Sequence, residues 1–152
     1  MVKTGDAAPM FKAPADSGGD LSLADFKGRT LVLYFYPKDD TPGCTVEANE
    51  FTALAAEFEA AGATVLGVSR DTVKSHCKFR EKYGLKVALL SDPELTVHKA
   101  YGAWGEKTMY GKKVEGVLRS TFVIDGNGTV VKAYANVKAA GHAAKVLAEL
   151  TD

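Results

Sequence analysis

Two apolar segments, TLVLYFY (30–36) and ATVLGVS (63–69), constrain the fold more than any other feature of this sequence. Neither segment alternates between polar and apolar residues, as a strand with one solvent-facing side would. Both are rich in β-branched and aromatic residues, so they are predicted to be central strands that are buried on two faces. A sheet of this kind needs helices on both of its faces.

The segments around these strands carry helix and turn signals in a regular order. A helix is predicted from about Pro42 to Ala61, with a core-facing stripe, and it ends at Gly62. A second helix, capped by Asp71 or Ser69, is predicted to run to Tyr83 and to end at Gly84. The stripe consists of Phe51, Leu54, Ala55 and Phe58.

The rest of the chain completes an alternating pattern. The other predicted elements are an N-terminal hairpin (11–23), a strand (87–91), a short helix (93–102), two strands (119–125 and 129–135) joined by a Gly-Asn-Gly turn, and a C-terminal helix containing Ala144, Val146, Leu147 and Leu150. The order β-α-β-α-β-α-β-β-α predicts one α/β domain over residues 1–152, with a central mixed sheet and helices on both faces. This layout is typical of a thioredoxin-like fold with an N-terminal β-hairpin extension.

Charge and hydropathy exclude several classes of function. Lys+Arg and Asp+Glu are equal at 19 each, so no basic field is available for nucleic acid or an anionic membrane. No apolar run approaches the roughly 18 residues of a membrane span, and MVKTGDAAPM lacks the apolar core of a signal peptide. We therefore expect a cytoplasmic protein. A monomer or a weak dimer is compatible with zero net charge.

Cys44 has the features of a reactive thiol. Pro42 suits the first turn of a helix, which places Cys44 near free backbone N–H groups and the positive end of the helix dipole. The thiolate is the nucleophilic form of cysteine, and this position stabilises it. Seven residues separate Cys44 from Phe51, so both are predicted to lie on the inward face of the helix.

One neighbour of Cys44 opposes this stabilisation. Glu47 follows one turn later, and its negative charge would destabilise a thiolate. A cation must neutralise it, and Arg119 is the best candidate, because it begins a strand that should run beside the central one. An arginine at this position would also polarise an oxygen-bearing substrate.

The pattern Pro37-x-x-x-Thr41-x-x-Cys44 resembles the peroxidatic motif of peroxiredoxins. The longer segment FYPKDDTPGCT is similar to the Q subfamily, also called bacterioferritin comigratory protein. GVSRDTVKSHCKFREKYGL, LLSD and GVLRSTFVIDGNGTV follow in the order expected for that subfamily, so the resemblance covers almost the whole chain.

The resemblance implies a thiol peroxidase that reduces hydrogen peroxide and organic hydroperoxides. Cys44 would attack the terminal peroxide oxygen and become a sulfenic acid. Thr41 would hydrogen-bond the attacked peroxide, Arg119 would hold the thiolate and the developing charge, and Pro37 would shield the pocket. The backbone amides of Gly43 and Cys44 would bind the oxygens. Electrons would come from a thioredoxin-type dithiol protein, and no cofactor or metal is implied.

The second cysteine leaves two interpretations open. Many Q-subfamily members carry a resolving cysteine five residues after the first, where this chain has Asn49, and others carry it at the position of Arg80. Cys77 lies one turn before Arg80 and is predicted to be at least partly accessible. Cys77 either resolves the sulfenic acid as an intramolecular disulfide or is a bystander in a single-cysteine enzyme. A peroxide sensor is the alternative from another functional class.

The remaining polar candidates receive structural interpretations. His76, His98 and His142 are scattered, so they do not suggest a zinc site, which needs clustered ligands. His76 is expected to pack at the edge of the core. The segment 38–40, Lys-Asp-Asp, is interpreted as a solvated loop whose acids favour the start of the helix.

Overall fold

The computed structural model describes residues 1–150. Its strands are β1 (Lys12–Pro14), β2 (Asp20–Ser22), β3 (Thr30–Phe35), β4 (Ala63–Ser69), β5 (Ala88–Ser91), β6 (Trp104–Met109), β7 (Lys112–Val117), β8 (Ser120–Ile124) and β9 (Val130–Tyr134). Its helices are α1 (Pro42–Ala53), α2 (Ala55–Ala60), α3 (Val73–Tyr83), α4 (Thr96–Tyr101) and α5 (His142–Leu150), and a short 3₁₀ turn spans Leu23–Phe26.

The central sheet has five strands in the order β5-β4-β3-β8-β9. β3 is parallel to β4 and β4 is parallel to β5, whereas β8 is antiparallel to both β3 and β9. β3 lies in the middle, and its residues 31–35 are all buried. The predicted mixed sheet is therefore confirmed, including the antiparallel hairpin that closes it.

Apolar side chains cover both faces of this sheet. On one face α1, α2, α3 and α5 contribute a core that includes Phe51, Phe58, Phe79 and Val146. On the other face α4 and the N-terminal segment contribute a second core. The β1–β2 hairpin is antiparallel, as predicted for the N-terminal extension.

Two helix boundaries differ from the sequence expectation. The predicted helix 42–61 is interrupted at Leu54, whose φ of −100° and ψ of 10° leave the helical range, so α1 and α2 are separate. α3 begins after Thr72, whose hydroxyl accepts a hydrogen bond from the Ser75 amide. Neither Ser69 nor Asp71 caps it, because the Ser69 hydroxyl instead donates to the Asp71 carboxylate at 2.6 Å.

The β6–β7 hairpin was not predicted. It pairs Trp104 with Val117 and turns at Tyr110 and Gly111, which both have positive φ. Most of β7 is exposed, so its sequence lacks the buried apolar run by which the central strands were identified. The segment KKVEGV is rich in charged residues and has no polar–apolar alternation, so it is a weak strand signal in a linear sequence.

Candidate active site

The pairing of β3 with β8 brings two distant segments to one end of the sheet. Phe35, the last residue of β3, is opposite Ser120, the first residue of β8. Arg119 therefore lies beside the loop that leaves β3 and enters α1. This register is what makes a contact between Arg119 and Cys44 possible across 75 residues of sequence.

Cys44 lies in the first turn of α1 and is only 1% exposed. Pro42 is the first residue of the helix, and Thr41 is the N-cap residue by its extended backbone. The guanidinium Nη2 of Arg119 donates a hydrogen bond to Cys44 Sγ at 3.3 Å. Cys44 and Phe51 are both buried, so the sulfur faces inward as the helical spacing indicated.

Arg119 also pairs with Glu47. Its Nη1 lies 2.6 Å from Glu47 Oε1, and the Glu47 side chain is completely buried. Burial raises the pKa of Glu47 to about 7, although the charge and the hydrogen bond of Arg119 act in the opposite direction. Glu47 Oε2 has no hydrogen-bond partner within residues 1–150. One guanidinium therefore holds both the sulfur and the acid that would oppose its ionisation.

The charge of Arg119 is itself reinforced by this arrangement. Burial lowers its pKa, but its electrostatic interactions and hydrogen bonds with Cys44 and Glu47 outweigh that effect, so the pKa of Arg119 is raised overall. Its side chain is 18% exposed, so part of it reaches solvent while its guanidinium holds two buried partners. A permanent positive charge therefore lies next to the sulfur.

Gly43 has no side chain, and this leaves room for the guanidinium of Arg119. A Cβ atom at position 43 would lie 3.3 Å from Arg119 Nη2, closer than most real Cβ contacts. The amides in the first turn of a helix have no intrahelical acceptor, so those of Gly43 and Cys44 face outward as donors. Donors at this point can bind a peroxide oxygen.

Thr41 does not cap the helix with its side chain. Its hydroxyl donates to the Lys38 carbonyl at 2.8 Å, and this leaves its oxygen lone pairs available as acceptors. Asp40, the residue before Thr41, accepts hydrogen bonds from Lys82 and Tyr83 of α3. Pro37 is half-buried at the start of the loop.

The interpretation of 38–40 as a solvated loop is wrong for Asp39, which is only 7% exposed. Its carboxylate accepts from Tyr36 at 2.6 Å, from Ser75 at 2.8 Å and from His76 Nδ1 at 2.7 Å. These hydrogen bonds satisfy its buried charge. Sequence reasoning missed this cluster because its acid and its histidine lie on different elements, 37 positions apart.

The two cysteines do not meet in this structure, and both are free thiols. Cys77 is exposed on α3, and its Sγ donates to the Asp16 carbonyl at 3.6 Å. Arg80, three residues later on α3, pairs with the Asp16 carboxylate at 3.0 Å. Asn49 is exposed on the outer face of α1.

The other histidines have local partners. His98 Nδ1 lies 2.6 Å from Asp92, and His142 Nε2 lies 2.8 Å from the Thr121 hydroxyl. Among residues 1–150, no cluster of three or more histidine, cysteine or acidic side chains is placed to hold a metal ion. Within the same residues, no helix is both long and apolar enough to cross a bilayer.

Residues 4–133 match the AhpC/TSA family. The chain belongs to the AhpC/TSA family. Peroxiredoxin Bcp of Xanthomonas campestris is 52% identical over 145 residues, which are 94% of this chain and 91% of that protein. The chain also matches the structure of a cysteine-to-serine mutant of Xylella fastidiosa PrxQ with a TM-score of 0.93 and 42% identity, covering 99% of this chain and 96% of that one.

A second similar structure has been solved as trapped intermediate and ligand complexes. It is the bacterioferritin comigratory protein of Xanthomonas campestris, with a TM-score of 0.89, 45% identity, and coverage of 96% of this chain and 98% of that one. The resemblance to the Q subfamily and the thioredoxin-like fold are both confirmed. This peroxiredoxin is a thiol peroxidase, and hydroperoxides are the substrates that its family implies.

Proposed function

We propose that Cys44 is the peroxidatic cysteine and that it reduces hydrogen peroxide and organic hydroperoxides. The observation that supports this assignment best is the guanidinium of Arg119, which contacts Cys44 Sγ and the buried Glu47 at once. A permanently charged donor at 3.3 Å from the sulfur stabilises a thiolate. The same donor can bind the leaving oxygen of the hydroperoxide. The sulfur of the other thiol, Cys77, instead donates to the backbone carbonyl of Asp16.

In the first step the Cys44 thiolate attacks the terminal oxygen of the hydroperoxide. The S–O bond forms as the O–O bond breaks, so the sulfur loses two electrons and the leaving oxygen departs as water or an alcohol after protonation. Thr41 and the amides of Gly43 and Cys44 orient the peroxide, Arg119 stabilises the charge on the leaving oxygen, and Pro37 shields the pocket. The alkyl peroxide reduction activity named for the Xanthomonas campestris relative supports the inclusion of organic substrates.

In the second step Cys77 resolves the sulfenic acid. Its thiolate attacks the Cys44 sulfur, an intramolecular disulfide forms, and the sulfenic oxygen leaves as water. A thioredoxin-type dithiol protein then reduces the disulfide and is itself oxidised. The exposure of Cys77 supports this role, because a protein reductant must reach one sulfur of the disulfide. The cycle suits the cytoplasm, where thiols are kept reduced, and a monomer or weak dimer can complete it.

Intact mass after one equivalent of hydrogen peroxide tests the proposal. We expect a product lighter by about 2 Da, which Cys77→Ser abolishes while Cys44 still reacts. A wild-type product heavier by about 16 or 32 Da would show a single-cysteine enzyme with Cys77 as a bystander. An unmodified mass would refute Cys44 as the nucleophile.

Multiple turnover separates a peroxidase cycle from a sensor. With a catalytic amount of protein and excess thioredoxin, peroxide should be consumed far beyond one equivalent. Consumption that stops at one equivalent, with the disulfide intact, would refute recycling by this reductant.

A further inference from the structure

The loop that carries the peroxidatic cysteine into α1 is bonded to the helix that carries Cys77. Asp39 lies in this loop, and its carboxylate reaches two successive residues of α3, Ser75 and His76, at 2.8 and 2.7 Å. The next residue along α3 is Cys77. The backbone amide of Asp39 also donates to Asp71 at 2.9 Å, just before α3 begins.

The hydrogen-bond partners of His76 favour its charged form. It is completely buried, its Nδ1 lies 2.7 Å from the Asp39 carboxylate, and its Nε2 lies 2.8 Å from the Leu90 carbonyl. Both partners are acceptors, so each ring nitrogen must carry a proton. Burial lowers the pKa of His76, but the hydrogen bond and charge of Asp39 outweigh it and raise the pKa overall.

Among residues 1–150, the charged groups that act on the pKa of His76 are acids. Asp39 faces it from the loop, the Tyr36 hydroxyl lies 3.4 Å from Nδ1 at the end of β3, and Asp71 adds negative charge from the turn before α3. β5 contributes the Leu90 carbonyl. Loss of one proton from His76 would remove the charge that pairs with Asp39 and would leave one ring nitrogen facing an acceptor without a hydrogen, either Asp39 or the Leu90 carbonyl, which is unfavourable in a buried site.

The two sulfurs are free and have different partners in this arrangement. Cys44 Sγ lies against Arg119 at the start of β8, whereas Cys77 Sγ lies against Asp16, whose amide bonds to the Leu89 carbonyl of β5. The strands that hold these partners, β8 and β5, are three positions apart in the sheet, so the partners themselves are separated by on the order of 14 Å. A disulfide needs Cα atoms within about 7 Å. The loop, the first turn of α1 or the first half of α3 must therefore move.

We propose that Asp39 and His76 form a latch whose opening controls how fast Cys77 resolves the Cys44 sulfenic acid. While the latch is closed, the loop and α3 are held together and Cys44 stays beside Arg119. When the latch opens, the two segments can separate and the sulfurs can meet. This inference rests on the proposed role of Cys77. Asp39 and His76 are positioning residues, since neither touches the reacting sulfurs in this structure.

The latch predicts a dependence on pH and on the Asp39 charge. If opening precedes disulfide formation, the observed rate scales with the open population. Deprotonation of His76 removes a buried charge-assisted pair, so the rate should rise about tenfold through this titration. Asp39→Asn keeps the shape of the side chain and removes its charge. Its disulfide should therefore form at the faster rate even at the lower pH values, where His76 of the wild-type protein is protonated.

Acid-quenched intact mass measures this directly. Reduced protein is mixed with one equivalent of hydrogen peroxide, and the decay of the sulfenic species into the disulfide is followed from about pH 5.5 to about pH 9. Asp39→Asn should lack the step in rate that comes from His76 and should keep the rest of the wild-type pH dependence. His76→Gln should lack the same step, so the proposal does not depend on one variant folding well.

Asp40→Asn is the matched control. Asp40 is the next residue, and it also pairs with α3, through Lys82 at 2.7 Å, but this pair is exposed. Exposed pairs contribute little, so this variant should follow wild type within about twofold at every pH. With excess peroxide, Asp39→Asn should also accumulate less of the species heavier by about 32 Da, because faster resolution competes with overoxidation.

Two results would overturn the latch, and they distinguish failure of the latch alone from failure of the proposed role of Cys77. If the wild-type disulfide forms but Asp39→Asn and His76→Gln keep the wild-type rate and pH profile, the latch is refuted and the role of Cys77 stands. If no disulfide forms in wild type at any pH, the resolving role of Cys77 fails, and the latch fails with it.

Discussion

Arg119 contacts two side chains, and each contact uses a different N–H group of its guanidinium. One N–H donates to Cys44 Sγ and a second donates to Glu47. Lysine has a single compact ammonium group and cannot reproduce the two-pronged geometry of a guanidinium. At the residue scale, the candidate site therefore depends on the shape of Arg119 as well as on its charge.

Substitution of Arg119 should mainly affect the reaction with peroxide. Arg119→Ala removes a charge-assisted hydrogen bond to the sulfur, and we expect kcat/KM for hydrogen peroxide to fall by about tenfold to a hundredfold. Arg119→Lys should recover only part of this loss. Arg70→Ala is the control, because Arg70 is exposed and stacks on Trp104. A folded Arg119→Ala protein with the wild-type rate would refute the role of this residue.

Gly43 allows a test that leaves every charge in place. In Gly43→Ala the new methyl group would lie 3.3 Å from Arg119 Nη2 and displace the guanidinium from Cys44. Alanine is otherwise a good residue within a helix. We expect the peroxide rate to fall severalfold while the melting temperature changes little. A loss of stability without a loss of rate would contradict this account.

At the scale of single elements, α3 is bounded by two well-defined ends. Thr72 caps its start, and Gly84 ends it in the left-handed conformation with a φ of 62°. No heavy atom would lie within 4 Å of a Cβ at position 84, so substitution there has only a backbone cost.

Gly84→Ala should lower the free energy of unfolding by about 1 kcal/mol, because alanine disfavours positive φ. Gly84→Asn should cost less, since asparagine tolerates this region better than alanine. Chemical denaturation of the three proteins measures the difference. Equal stability of the alanine and glycine proteins would show that the end of α3 is not held in this conformation.

At the scale of the whole molecule, a buried histidine links stability to pH. His142 packs between Phe51 and Tyr134 and bonds to Thr121. Burial lowers its pKa from 6.5 to about 4, and the nearby charges of Lys145 and Arg119 add to this. The folded state therefore binds fewer protons than the unfolded state between these values. The contribution of this group is complete above pH 6.5 and is lost as the pH falls toward 4.

His142→Gln should flatten this part of the stability profile. Glutamine can still bond to Thr121 but does not titrate, so the variant should lose less stability than wild type between about pH 7 and about pH 5. Urea denaturation at the two pH values gives both differences. An equal loss in the two proteins would assign the acid sensitivity to other groups.

The sequence alone determined the central part of the fold and one side of the site. The unbroken apolar runs of β3 and β4 identify buried strands, because burial on both faces removes the need for polar residues. Pro42 and the spacing from Cys44 to Phe51 give the helix start and the inward direction of the sulfur, because helix geometry is local. The exposed β6–β7 hairpin lacks such a signal and was missed.

Only the tertiary structure decided which distant groups meet. The register of β3 with β8 brings Arg119 to Cys44. The packing of α3 against the loop buries Asp39 with His76, where the sequence indicated a solvated acid. Such contacts join residues far apart along the chain, and their charges are tolerated only because each buried group finds its partner in the folded state. A local sequence pattern therefore cannot predict which of these distant residues will pair.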